Sequence, residues 1–155
     1  MYPEHDLIAI NRSIRAYDRL FFRIRILTIL TEVVLRCTSL KTTERLLSLL
    51  RKDVPPPNNH DTMVILDKYA TIFHQLNQHP FLKGRCLSQS LVMQCLLGRQ
   101  GIPSALKIGI QRRDGQFDAH AWLEKEGSLL NDHPAIVSQY LVLPQNNIKT
   151  ISVVK

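Results

Sequence analysis

Aromatic residues are scarce in this chain, cysteines are few, and no long run is free of charge; each shortage removes a class of protein. Phe, Trp and Tyr make up 6% of 155 residues, with a single Trp. Few rings are left for base stacking, and no DNA-reading motif accompanies them, which argues against a nucleic-acid partner. Cys37, Cys86 and Cys95 are an odd count without CxxC spacing, so neither a disulfide framework nor a cysteine-rich zinc module fits. The six histidines show neither HxxxH nor HExxH spacing, which removes the common zinc-enzyme arrangements. There is no Gly-rich phosphate loop, no GxSxG and no internal repeat. Met1 is followed by Pro3, Glu4, His5 and Asp6 rather than by a basic segment, so no secretory signal is expected. Together with the free thiols, this predicts a reducing, cytoplasmic location.

Apolar residues form 45% of the chain, enough for one domain over residues 1–155 with a real core. Charge is uneven. Residues 11–52 hold ten Lys or Arg against three acids, a surplus equal to the whole formal net charge of +7. A basic stretch of this kind attracts phosphate, acidic peptide or anionic lipid alike.

Residues 1–80 read as helix. Ile10, Ile14, Tyr17, Phe21 and Ile24 recur at helical spacing, and Leu27 and Val34 continue the stripe to residue 37. Arg23, Arg25, Glu32 and Arg36 interrupt it, short of the ~18 apolar residues of a membrane span. The favoured placement is against the domain, with a membrane surface as the lesser reading. Thr42 or Thr43 is expected to cap a short helix ending at Leu50, and Pro55-Pro56-Pro57 to break the chain before a helix that starts at Asp61 or Thr62. Residues 81–155 change character. A strongly apolar helix is predicted from Cys86 to Arg99, with Gly101 and Pro103 as stop signals. Period-two alternation then gives strands over 106–111, 117–124 and 128–132, separated by Asp114-Gly115 and Glu126-Gly127. Helices followed by an antiparallel meander make an α+β layout.

Cys86 is the strongest candidate nucleophile. It follows Lys83-Gly84-Arg85 at a helix start, where free N–H groups stabilise a thiolate and an acyl oxyanion. A free cysteine is more commonly a small buried residue, which suits Cys37 and Cys95, and position alone leaves Cys86 an even bet. His120 stands mid-strand between Ala119 and Ala121, which leaves room for an approaching group; taken alone, a histidine there is more often hydrogen-bonded in a core. Asp132 reads either as a turn residue before Pro134 or as a carboxylate orienting the imidazole. Reading Lys125-Glu126-Gly127 and Arg113-Asp114-Gly115 as three-residue loops pairs His120 with Asp132, Trp122 with Leu130 and Ile108 with His120. One face then carries Leu106, Ile108, Ile110, His120, Trp122, Leu130 and Asp132 and receives the Cys86 helix. A two-residue Glu126-Gly127 loop would turn Asp132 to the opposite face.

Gly84-Arg85-Cys86-Leu87-Ser88-Gln89-Ser90-Leu91, Leu97-Gly98-Arg99-Gln100-Gly101-Ile102-Pro103, Phe117-Asp118-Ala119-His120-Ala121-Trp122-Leu123-Glu124 and Leu130-Asn131-Asp132 occur in this order. Over residues 80–143 the chain resembles the transglutaminase-like leader peptidases of lasso-peptide biosynthesis, the "B" processing proteins. The resemblance implies a papain- or transglutaminase-like cysteine-peptidase fold. It also implies removal of a leader from a ribosomal precursor peptide, with Cys86 as nucleophile, His120 as general base and acid, and Asp132 as orienter. No metal or organic cofactor is implied. Many members carry Arg where this chain has Gln89. Fused members begin with a strand-containing precursor-binding domain; residues 1–80 here lack one, so the chain resembles the split form. That form implies a separate leader-recognition protein and a lasso cyclase as partners. The rival readings are an acyltransferase or amidase with the same three residues, and a non-catalytic helical adaptor, for which Cys86 would be unreactive.

Overall fold

The computed structural model describes residues 4–52, 54–113 and 115–144, with side chains from Arg15 onward. The fold is α+β. Four helices come first: α1 (Glu4–Cys37), α2 (Leu40–Ser48), α3 (Asn59–Gln78) and α4 (Cys86–Gly98). They are followed by β1 (Ala105–Arg113), β2 (Gln116–Lys125), β3 (Ser128–Leu129), the one-turn α5 (Pro134–Val137) and β4 (Leu141–Val142). Among the described residues no helix is long and apolar enough to cross a membrane.

The starts of α2 and α3 follow side-chain capping. Ser39, not Thr42 or Thr43, caps α2: its hydroxyl accepts from the Thr42 N–H at 3.2 Å. The helix therefore begins earlier than predicted, and Thr43 is buried inside it. Asn58 caps α3 through the Asp61 N–H at 2.8 Å, directly after the proline run, and Asp61 adds negative charge to the first turn.

Helix α4 is the centre of the molecule. It contacts α1, α2 and α3 as well as β1 and β2. Leu91, Val92, Met93, Cys95 and Leu97 are all buried, in one cluster with Ile24, Leu47, Ile72, Leu76, Leu106, Ile108, Ala121 and Leu123. Burying a side chain such as Leu91 or Leu97 stabilises the fold by about 1.5–3 kcal/mol. A helix apolar on every side must be enclosed, and its few polar groups must bond internally. They do: Ser90 donates to the Ala121 carbonyl at 3.2 Å and Gln94 to the Ser104 carbonyl at 3.0 Å.

The sheet is antiparallel in the order β3-β2-β1-β4. Its register corrects the expected one. Ile108 pairs with Ala121 rather than His120, and Leu106 with Leu123 rather than Trp122, because Arg113 pairs with Gln116 across a two-residue turn. Glu124 likewise pairs with Leu129, and Lys125 with Ser128. Glu126 (φ 51°) and Gly127 (φ 81°) both take left-handed backbone, the two-residue turn whose twist matches the strands. The apolar face is therefore Leu106, Ile108, Ala121 and Leu123, while His120 and Trp122 share the other face with Lys107 and Gly109.

Gly109 has a specific task on that face. A Cβ there would lie 2.7 Å from Tyr140 Cβ and 2.9 Å from the Trp122 ring. Gly109→Ala is expected to lower stability by about 1–3 kcal/mol through overpacking, measurable by urea denaturation. An unchanged midpoint would mean that the Trp122 and Tyr140 rings shift freely.

Candidate active site

Each sequence-predicted residue reaches the site from a different element. Cys86 is the first residue of α4, partly exposed. Its helix carries no side-chain cap, so the amides of the first turn are not covered by a neighbouring side chain. His120 projects from the middle of β2, and Asp132 lies in the bend after β3. The structure brings all three together. His120 Nε2 is hydrogen-bonded to Asp132 Oδ2, and the Cys86 thiol lies within reach of the same imidazole. Asp132 takes Nε2, which leaves Nδ1 on the side of the ring away from the carboxylate.

Asp132 arrives by a route that strand pairing does not give. The third strand was expected over 128–132; β3 ends at Leu129. The Leu130 N–H still donates to the Leu123 carbonyl at 3.0 Å, but the Leu123 N–H turns to the Asn131 side-chain oxygen at 2.8 Å. Asn131 also donates to Ser90 Oγ at 2.9 Å, tying the bend to α4. With a side chain replacing the next backbone acceptor, the chain leaves the ladder, and Asp132 is released from the alternation that would have placed it on the far face.

Electrostatics favour the charged pair. The hydrogen bond to Asp132, then that to Cys86, push the His120 imidazole up to about 10 against the opposing effect of burial. Burial works to raise the Asp132 carboxyl, but the hydrogen bonds from His120 and from the His133 N–H outweigh it and hold it below the usual carboxylate range. An imidazolium that persists at neutral pH is the proper partner for a thiolate and a ready acid for a leaving amine.

The other thiols are differently placed. Cys37 is exposed at the end of α1. Cys95 is 0% exposed, donates to the Leu47 carbonyl at 3.4 Å, and is pushed up by burial. Among the described residues no three His, Cys, Asp or Glu side chains are grouped closely enough to hold a metal ion. A cleft of about 590 Å³ between Arg51-Lys52 and Gly101-Ile102-Pro103 lies at the opposite end of α4 from Cys86.

A sequence profile of the transglutaminase-like superfamily matches residues 27–145. The chain belongs to the transglutaminase-like superfamily. The superfamily typically comprises catalytic-cysteine enzymes, and the matched stretch includes Cys86, His120 and Asp132. Comparison with curated proteins and with solved structures gives no match.

Around this transglutaminase-like site stand residues that sequence reasoning missed. Tyr140 tilts over the His120 ring at 5.1 Å between centroids, and Trp122 stacks at 6.1 Å. The Tyr140 hydroxyl donates to Asp118 Oδ2 at 2.8 Å, and Gln111 donates to the same oxygen at 3.0 Å. Those two bonds lower the Asp118 carboxyl. Burial, then the bond to Asp118, push the Tyr140 phenol up to about 12. The tyrosine ring thus flanks the imidazole, with its hydroxyl tied to Asp118. Gly109 was the available signal for it, since a glycine inside a strand marks close approach of other groups.

Two further contacts position the start of α4, where Cys86 stands. Arg85, immediately before Cys86, pairs with Glu32 of α1 at 2.6 Å, and Glu32 also holds Arg36. Gln89, where an arginine is common in the resembled family, is buried and donates to the Leu82 carbonyl at 2.8 Å. Its side chain secures the approach to α4 rather than facing outward.

Proposed function

We propose that this chain is a cysteine peptidase that removes the leader from a ribosomally made lasso-peptide precursor through a thioester acyl-enzyme, acting in the cytoplasm. The observation that carries the catalytic part is the His120–Asp132 pair meeting Cys86 at the uncapped start of α4. The lasso-precursor part is supported by the resemblance over residues 80–143.

In this reading the Cys86 thiolate adds to the scissile carbonyl, and the first-turn amides of α4 take up the oxyanion charge. The His120 imidazolium gives its proton to the departing amine, which leaves as the new N-terminus of the core peptide. Water then enters. Neutral His120 takes a proton from it as the oxygen attacks the thioester; the Cys86 sulfur is expelled as the thiolate beside the restored imidazolium, and the leader leaves as a carboxylic acid that gives its proton to solvent. Asp132 keeps the ring in one tautomer and orientation throughout. A separate leader-recognition protein presents the precursor, and a lasso cyclase closes the released amine onto an acidic side chain.

Incubation of the protein with precursor peptide, with and without the recognition protein, followed by mass measurement, tests the proposal. Expected are a leader ending in a free carboxylate, a core with a free amine, and faster release when the recognition protein is present. A leader joined to an added amine would instead identify an acyltransferase. An unmodified precursor together with a Cys86 inert to thiol probes would identify an adaptor.

A further inference from the structure

Helix α1 uses one side to build the core and leaves an ordered apolar seam on the other. Ile24, Thr28, Thr31 and Leu35 are buried against the rest of the protein. Phe22, Ile26, Ile29, Leu30 and Val33 point outward, each between 38% and 61% exposed. Isolated exposed apolar residues are ordinary, but a contiguous row is not. The spacing of Phe22, Ile26, Ile29 and Val33 alternates four, three, four, which is the a/d pattern of a heptad. Arg23 and Arg25 then occupy the flanking e and g positions, with Arg19 one turn before Phe22. Two acids fall at flanking g positions: Glu32 is already held by Arg36 and Arg85, and Asp18 lies one turn before Phe22.

The surface has a shape as well as a pattern. A groove of about 300 Å³ is lined by Phe22, Arg23, Ile26, Leu27 and Leu30. Beside it, Ile26, Ile29, Leu30 and Val33 are spaced i, i+3, i+4, i+7, the four-residue hole of the seam that receives one side chain of a facing helix. A bilayer needs no such hole and is better met by a broad apolar face than by a narrow seam. A second copy of this chain would bring arginine flanks against arginine flanks. Residues 145–155 contain Lys149 and Lys155 and no acid, so they offer no complement either.

We propose that the Phe22–Val33 seam of α1 docks an acidic amphipathic helix of a partner protein in coiled-coil fashion, its apolar residues entering the seam and its carboxylates meeting Arg19, Arg23 and Arg25. The proposal does not depend on the catalytic reading.

The test uses the full chain and a fluorescent helical peptide with Leu at a and d and Glu at e and g. Its controls are the same peptide with Lys at e and g, phosphatidylglycerol vesicles, and sedimentation of the protein alone. The acidic peptide should bind with an affinity that falls as salt rises, and the Lys peptide should not. Ile26→Ser with Leu30→Ser, both at exposed positions, should weaken binding by about tenfold or more with the circular dichroism unchanged. Arg23→Glu with Arg25→Glu should exchange the preference to the Lys peptide. The proposal is overturned if charge reversal leaves the acidic peptide bound as before. Vesicle binding without peptide binding, or a dimer abolished by the Ile26→Ser and Leu30→Ser pair, overturns it equally.

Discussion

Cys86→Ala is expected to lower leader release by roughly 10³-fold or more while leaving the fold intact. The side chain is small, partly exposed at a helix start and only borders the core, so its loss opens no large cavity. Cys95→Ala supplies the contrast. That thiol is enclosed by the core and bonded to the Leu47 carbonyl, so its removal should cost about 1–3 kcal/mol of stability with cleavage retained. Rates measured by mass spectrometry, with denaturation midpoints on the same samples, separate the two effects. Wild-type release by the Cys86→Ala protein would end the peptidase assignment.

Asp132→Asn carries the second large effect, expected at about 10²–10⁴-fold in turnover, since the amide no longer fixes the tautomer or supports the imidazolium. Its pH dependence is the sharper readout. His120 is pushed up to about 10, chiefly by Asp132. In the native protein the imidazolium, and the stability it lends, are fully present below the ordinary histidine value and are lost as pH rises through about 10. The stability contributed by the lowered Asp132 carboxyl has the opposite sign and is lost as pH falls below the ordinary carboxylate range. Activity should therefore decline on the alkaline side near 10 in the native chain, and at a clearly lower pH in Asp132→Asn. An alkaline limb unmoved by the substitution would show that Asp132 does not support the imidazolium.

Much of this site was legible in the linear sequence because it rests on local signals. Helix α4 announces itself by its apolar run, begins at Cys86 as expected, and is followed by Gly101 in left-handed backbone (φ 73°). The register was not legible. Lys125-Glu126-Gly127 suits either a two- or a three-residue loop, and Glu126, a residue with no special liking for left-handed backbone, adopts it here. The choice of loop moved the apolar face from Ile108 and His120 to Ile108 and Ala121. His120 and Asp132 nonetheless meet, through the Asn131 side chain and not through the predicted pairing. Helix α5 and strand β4, which carry Tyr140 to the ring, are too short for periodicity to reveal. The Glu32–Arg85 pair spans 53 positions, a separation at which no local pattern operates.

That pair has an evolutionary consequence. Arg85 is held beside Cys86 by a carboxylate from a distant helix; losing Glu32 leaves the half-buried guanidinium without that partner, whereas losing Arg85 leaves Glu32 paired with Arg36. Substitutions at the two positions are therefore not independent: a neutral residue at 32 is tolerated best where 85 is neutral as well, and an acid at 85 calls for a base at 32. Positions 32 and 85 should drift together among descendants of this chain, and a mutational library built on it should recover function at one position mainly through compensating change at the other.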